Sequence, residues 1–200
     1  MTSDAVAIPW GSDKQSVSGY VLEGRRIALR VFLPGIDAAG RLRRWRSLTG
    51  EEVVGTTRRR DLVESHDDLP AAEAIDPATG TIDGATAAAL SDSLRTLVGD
   101  VDVHVARWRG YVGDATPASG PLDGEHTVTT EPLAAVFTPA RPLPSFVWIP
   151  EARLSIGAPL YADSVFVSGP EESLAAIARD SELESAALLA DQPLPLPGLE

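Results

Sequence analysis

Cysteine is absent from this chain of 200 residues, and lysine and methionine occur once each. The lack of cysteine excludes disulfides, thiolate zinc sites and thiol nucleophiles. No segment approaches the roughly 18 consecutive apolar residues of a membrane-spanning helix, so we expect no association with a membrane. The N-terminal residues also lack the basic and apolar regions of a secretion signal, and we therefore expect a cytoplasmic location.

Basic residues are few relative to acidic ones, 17 against 29, which gives a formal net charge of −12. The imbalance is uneven, because residues 1–60 carry +5 and residues 61–200 carry −17. Most of this surface would repel phosphate, so we expect no nucleic-acid binding. A protein partner with a basic patch fits better, and electrostatic attraction would act mainly on its association rate. The pattern specifies no oligomeric state.

The hydrophobic content of 44 % is typical of a globular domain. The segment pattern predicts an α+β fold in which a mixed, mainly antiparallel sheet carries two or three helices packed on one face. We predict helices at about 84–98, with Asp83 as the N-cap, and at about 170–178. The predicted strand segments are 16–33, 101–108, 127–138, 146–149 and 164–168.

The chain divides into three parts by composition. Residues 1–15 are interpreted as an irregular N-terminal arm, 16–190 as a single α+β domain, and 191–200 as a flexible, proline-rich tail. Within the domain, residues 16–33 are expected to form a hairpin whose connection is Glu23-Gly24-Arg25-Arg26. Residues 181–190 fit either a helix or a strand.

Short aromatic, glycine and charged motifs follow one another between Trp108 and Glu184. In order, they are Trp108-x-Gly110-Tyr111, Trp148-x-Pro150-x-x-Arg153, Asp163, Val167-x-Gly169 and Leu183-Glu184. Two upstream segments complete the pattern, Arg30-Val31-Phe32-Leu33-Pro34 and Arg44-Trp45. Over about residues 18–190 this order and spacing resemble a family of acidic proteins common in high-GC Gram-positive bacteria.

The chain departs from that family pattern in two places. Leu154-Ser155-Ile156 stands where a second tryptophan is often found, and Ser168 stands where a glycine is usual. No activity is assigned to the family. The resemblance therefore implies a fold and leaves the function open.

Motifs of known reaction centres are missing from the sequence. There is no Gly-x-Gly-x-x-Gly, no Walker A loop and no Gly-x-Ser-x-Gly. A segment that begins at Asp76 faintly resembles a calcium loop but places Ala78, Thr81 and Ala87 at the third, sixth and twelfth positions, which excludes an EF-hand. Ser168-Gly169 is interpreted as an ordinary helix start. We therefore predict no catalytic residues, no metal site and no cofactor.

Three histidines are the remaining acid/base candidates. His66 and His126 lie in acidic segments that are interpreted as solvated loops, whereas His104 lies two residues from Asp102 on one face of a strand. The predicted surface for a ligand or partner consists of Trp108, Arg109, Tyr111, Trp148, Arg153 and His104.

Two functions remain open on this evidence. The favoured hypothesis is a non-catalytic protein-interaction or accessory module with an acidic surface. The alternative is an enzyme or small-ligand binder whose acid/base site lies near His104, with Asp102 and Arg109 in a partly apolar pocket. The basic runs at 41–46, which includes Trp45, and 58–60 are expected to lie against the protein's own acidic surface, or to be solvated or meet an acidic partner.

Overall fold

The structure is a computed structural model that describes residues 8–37, 39–58, 61–62, 80–111, 126–139, 141–160 and 162–194, with the backbone alone at Ile36 and Tyr111. Several sequence predictions lie outside the described residues. They are most of the loops predicted at 61–81 and 110–126, with His66 and Asp76, and the last six residues of the tail.

Seven strands form one sheet. They are β1 (Ile27–Phe32), β4 (Asp102–Trp108), β5 (His126–Pro132), β6 (Phe146–Ile149), β7 (Leu154–Gly157), β8 (Ser164–Ser168) and β9 (Ser185–Leu189). Their order is β5-β4-β6-β7-β8-β1-β9, and every neighbouring pair is antiparallel. A separate antiparallel pair joins β2 (Gly35–Ile36) to β3 (Leu42–Arg43). The predicted α+β fold with a mainly antiparallel sheet is confirmed.

Four α-helices occur in the described residues: α1 (Trp45–Thr49), α2 (Gly84–Val98), α3 (Leu133–Val136) and α4 (Glu171–Ala178). The N-cap predicted for α2 is present, because Asp83 Oδ1 accepts hydrogen bonds from the N–H groups of Ala85 and Thr86 at 3.1 and 3.0 Å. This contact satisfies two of the amides that a helix start leaves unpaired. The predicted helices α2 and α4 are therefore confirmed.

One face of the sheet packs against α2, α3 and α4. Alternate strand residues such as Val31 and Val165 share a buried cluster with Leu90 of α2, Leu133 of α3 and Ile177 of α4. Successive side chains of a strand point to opposite faces. The neighbouring residues of these strands therefore belong to the second face.

The second face is covered by the N-terminal segment, which we define as residues 8–22, and by α1. Ile8 packs with Phe146 and Trp148. Phe32 packs against Trp45 of α1. The short helix α1, which was not predicted, therefore lies on the face opposite α2, α3 and α4. Cover on both faces explains why β6, β7 and β8 are buried throughout.

Several elements differ from their sequence predictions. Residues 17–20 form a 3₁₀ turn instead of the first strand of a hairpin, and they close on local backbone hydrogen bonds such as Gly19 N–H to the Ser16 carbonyl at 3.2 Å. β1 pairs with β8 and β9 instead. β5 ends at Pro132, which donates no ladder hydrogen bond, so the strand predicted to 138 is too long.

Three further elements were not predicted as such. β7 and α1 are short and lack a periodic signal of their own, and residues 185–189 prove to be a strand. The predicted tail is packed as far as Leu194, whose N–H donates to the Gln15 carbonyl at 2.9 Å.

Candidate functional site

The N-terminal segment crosses the second face of the sheet and separates two pockets. Pro9 and Leu22 line the first pocket, whereas Trp10 and Tyr20 line the second. The segment is fixed there by backbone pairing of Trp10 with Leu22 and by a hydrogen bond from Glu23 N–H to the Pro9 carbonyl at 2.8 Å. We call the first the arginine pocket and the second the aromatic pocket.

The arginine pocket lies between the chain turn at 22–25 and the turn that joins β6 to β7. It has a volume of about 660 Å³. Its principal lining residues are Leu22, Glu23, Arg25, Trp148, Pro150 and Arg153. Two guanidinium groups and one carboxylate therefore border a largely apolar floor.

Backbone geometry holds the two arginines together. Arg153 adopts a left-handed conformation with φ of 51°, and its N–H donates to the Pro150 carbonyl at 3.1 Å. Its own carbonyl accepts a hydrogen bond from Arg25 Nη2 at 3.0 Å. A non-glycine residue with positive φ is uncommon and tends to mark functional turns. Arg153 therefore borders the pocket itself and also holds Arg25 in place through its carbonyl oxygen.

Hydrogen-bond donors dominate the polar inventory of this pocket. Within the described residues, the Arg153 guanidinium makes no hydrogen bond or ion pair, and the Arg25 guanidinium makes its one bond to the Arg153 carbonyl. The Trp148 ring also lines the pocket, where it is almost fully buried. Glu23 supplies the one carboxylate of the lining.

The Trp148 ring is held rigidly. It is only 4 % exposed, and it stacks on His104 with ring centroids 5.0 Å apart and an interplanar angle of 27°. The two residues are direct partners across β4 and β6. Phe146 braces the same ring at 5.9 Å. This fixed aromatic ring forms part of the pocket wall.

His104 serves as this stacking partner, and it lines neither the arginine pocket nor the aromatic pocket. Its Nδ1 lies 3.5 Å from the Thr130 hydroxyl, which is its hydrogen-bond partner instead of Asp102. Asp102 is exposed at the start of β4. The structure therefore does not bring these two residues together as an acid/base pair.

The aromatic pocket has a volume of about 230 Å³. Trp10, Tyr20, Trp108 and His126 line it together with Lys14. The Lys14 ammonium lies 2.9 Å from the Trp10 ring centroid and 5.2 Å from that of Tyr20, and it donates to the Gly19 carbonyl at 2.7 Å. Burial raises the pKa of the Tyr20 hydroxyl above its ordinary value.

The predicted surface thus divides between the two pockets. Trp148 and Arg153 line the arginine pocket, and Trp108 lines the aromatic pocket beside its cross-strand partner His126. Arg109 is exposed in the 3₁₀ turn at 109–111. Tyr111 shares that turn, but its side chain lies outside the described residues.

Sequence analysis missed the residues that the N-terminal segment and its turn bring to these pockets. Arg25 follows Gly24, whose φ of 79° favours glycine. That Gly-Arg turn was interpreted as a hairpin connection. One feature of the sequence could have indicated the aromatic pocket. Lys14 is the single lysine of an arginine-rich chain, and it lies between Trp10 and Tyr20 in the sequence.

A buried ionic network around Arg30 of β1 is structural, and its residues line neither pocket. Arg30 donates to Asp163 Oδ1 at 3.2 Å, to the Ser164 hydroxyl at 2.8 Å and to the carbonyls of Gly55 and Thr57. Burial lowers the pKa of Arg30, and Asp163 opposes that shift. Because these partners occupy each of its guanidinium nitrogens, Arg30 anchors residues 55–57 to the sheet.

The basic segment around Trp45 also serves the fold. Trp45 is 1 % exposed, and its indole N–H donates to the Leu33 carbonyl at 2.9 Å. Arg41 and Arg43 pair with Asp37 at 2.9 and 3.3 Å. These contacts agree with the expected intramolecular role of residues 41–46. Arg59 and Arg60 lie outside the described residues.

The described ranges contain neither a cluster of metal-ligating side chains nor a membrane-spanning helix. No group of three or more histidine, aspartate or glutamate side chains there is arranged to hold a metal ion. None of the helices in those ranges has the length and apolar character needed to cross a membrane.

No protein-family model, curated protein or solved structure matches this chain. The resemblance drawn from the sequence motifs therefore stays a prediction, and the geometry of the two pockets is the basis for an inference about function.

Proposed function

We propose that this chain is a non-catalytic binding module that holds a carboxylate group of its partner in the arginine pocket. One observation carries the proposal: the guanidinium groups of Arg25 and Arg153, whose donors are largely unused within the described residues, border the same pocket. Donors without matching acceptors favour a ligand that only accepts hydrogen bonds. Carboxylates and phosphates have this property.

The rest of the lining narrows the ligand class. Leu22, Pro9 and Pro150 form apolar walls that suit an apolar body attached to the anionic group. Glu23 stands among the donors and disfavours a second negative charge. A monoanionic carboxylate therefore fits better than a dianionic phosphate.

This proposal is compatible with the partner expected from composition. A chain of net charge −12 attracts a basic protein, and such a protein can offer a single carboxylate at its C-terminus or on one side chain. The net negative charge of the chain then attracts the basic surface of the partner, and the arginine pocket binds a carboxylate elsewhere on the same partner. The enzyme alternative lacks a comparable observation, because His104 is committed to stacking and lines neither pocket.

Equilibrium binding of small probes tests the proposal. We expect isothermal titration calorimetry to detect benzoate, whereas benzamide, which has the same shape without the charge, should not bind. Arg153→Gln should weaken benzoate binding at least about tenfold, since a charged hydrogen bond contributes about 1.5–3 kcal/mol. The matched control is Arg26→Gln, which alters an exposed neighbour outside the pocket lining and should change nothing.

Three results would contradict the proposal. They are equal binding of benzamide and benzoate, unchanged benzoate affinity in Arg153→Gln, and the absence of benzoate binding to the wild type. Tighter binding of phenyl phosphate than of benzoate would instead contradict the role assigned to Glu23.

A further inference from the structure

We propose that the aromatic pocket is a binding site for ammonium groups and that the chain fills it with its own Lys14. The site lies on the other side of the N-terminal segment from the arginine pocket, and it takes a ligand of the opposite charge. The inference therefore goes beyond the proposed function and stands or falls separately.

Aromatic rings surround the Lys14 ammonium. The ammonium lies 2.9 Å from the Trp10 ring centroid and 5.2 Å from that of Tyr20, both within the range of about 6 Å over which cation–π attraction operates. Trp108 and His126 contribute two more rings to the lining, which also includes Ser145, Ala158 and Leu160. Cages of this composition bind quaternary ammonium groups and methylated lysines.

The rings are held in place by their own neighbours. Trp10 makes edge contacts with His126 at 5.1 Å and with Phe146 at 5.6 Å, while Tyr20 packs on Phe166 at 6.5 Å. Trp10 and Tyr20 are thus each held by rings of the sheet in addition to their contacts with Lys14.

The choice of residue agrees with an ammonium site. The chain uses arginine at every basic position except Lys14. A compact ammonium fits between rings and keeps a donor for the Gly19 carbonyl, 2.7 Å away, whereas a planar guanidinium is larger and prefers to stack flat. A lysine at this position therefore matches the cage, and it fastens residues 14–20 into one loop.

An external ligand has to compete with this tethered ammonium. A tethered group acts at an effective concentration in the millimolar range, and its positive charge repels a second cation in the same pocket. Free volume of about 230 Å³ remains in the pocket, which is room for a small methylated ammonium once Lys14 is neutralised or displaced. The ligand class is therefore a primary or methylated ammonium.

Choline titrations followed by the indole N–H signals of Trp10 and Trp108 test this inference. We expect choline to bind Lys14→Ala and Lys14→Met at millimolar concentration and to bind the wild type at least about tenfold more weakly. Lys14→Arg, which keeps the charge, should stay as closed to choline as the wild type. The uncharged tert-butyl analogue of choline should bind none of the four proteins.

The inference is wrong if neither neutral variant binds choline, or if the uncharged analogue binds them equally well. A measurement on the unaltered sequence covers the case in which both variants fail to fold. Reductive methylation with isotope-labelled formaldehyde labels the single lysine and the N-terminal amine. We expect the folded protein to show an upfield ring-current shift of the Lys14 methyl signal that urea abolishes. A Lys14 signal at the position of free dimethyl-lysine in the folded protein would overturn the proposal.

Discussion

Arg30 of β1 and Asp163, which precedes β8, form a buried ion pair with side-chain exposures of 1 % and 5 %. The guanidinium also binds the carbonyls of Gly55 and Thr57, so it ties a loop to β1. Asp163 Oδ1 also accepts a hydrogen bond from the Ser164 hydroxyl at 2.7 Å, whereas Oδ2 has no hydrogen-bond partner among the described residues. Arg30 supplies the one counter-charge to this buried carboxylate in those residues.

We predict that Asp163→Asn destabilises the protein by about 3–5 kcal/mol, because it leaves the Arg30 charge buried without its counter-charge. Urea unfolding at neutral pH measures the change. The control is Asp37→Asn, which removes a carboxylate from a surface cluster with Arg41 and Arg43 and should cost far less. If both variants lower the free energy of unfolding equally, burial of the Arg30–Asp163 pair does not determine its contribution to stability.

Two glycines of the sequence motifs are explained by close approach at the residue scale. A Cβ at Gly110 would overlap the Trp108 ring, and a Cβ at Gly169 would lie 2.6 Å from Leu154 Cδ2. Gly110 and Gly169 thus allow the Trp108 and Leu154 side chains to pack directly against the backbone. These motif glycines therefore serve the packing of the fold, and they indicate no reaction.

At the scale of elements, α1 illustrates a helix whose stability comes from a distant part of the chain. The Glu184 carboxylate accepts hydrogen bonds from the N–H groups of Trp45 and Arg46 at 2.7 and 2.8 Å. Arg44, at the N-cap position, makes no side-chain capping bond. The Leu-Glu motif at the C-terminal end of the pattern therefore serves the first helix.

We predict that Glu184→Ala destabilises the protein by about 0.5–2 kcal/mol, the usual cost of losing an N-terminal cap. Glu182→Ala is the matched control, because Glu182 lies in the same turn and makes only an exposed pair with Arg44, at 3.4 Å. Thermal unfolding of both variants measures the difference. A Glu184→Ala protein as stable as the Glu182→Ala protein would contradict the capping role.

Elements with their own periodic pattern were predictable, and elements that depend on distant contacts were not. β1, β4, β6 and β8 carry alternating or continuous apolar runs, and α2 has both its N-cap and its final glycine in the local sequence. By contrast, α1 relies on a carboxylate 139 residues away in sequence. β7 has only four residues, and its burial comes from layers on both faces.

At the scale of the whole molecule, the N-terminal segment turns a two-layer arrangement into a sheet covered on both faces. The sequence predicts an irregular arm up to residue 15 and a strand from residue 16, and neither prediction indicates that the segment packs on Phe146 and Phe166. The pockets on either side of the segment could not be predicted from the sequence either. The arginine pocket combines Pro9, residues 22–25 and residues 148–153, which only the tertiary structure brings together. Trp148, Arg153 and Trp108 were identified as surface candidates, but their division between two pockets was not.

Indole N–H spectroscopy during a benzoate titration tests the central claim most directly, because the four tryptophans report on different places in the molecule. Trp148 lines the arginine pocket, Trp10 and Trp108 line the aromatic pocket, and Trp45 is buried against Leu33. Single tryptophan-to-phenylalanine variants assign the signals. We predict that benzoate shifts the Trp148 signal in the wild type, leaves the other three in place, and loses this effect in Arg153→Gln. A titration in which Trp148 stays unmoved, or in which Trp10 and Trp108 move instead, would contradict the claim that this chain binds a carboxylate of its partner through the arginine pocket.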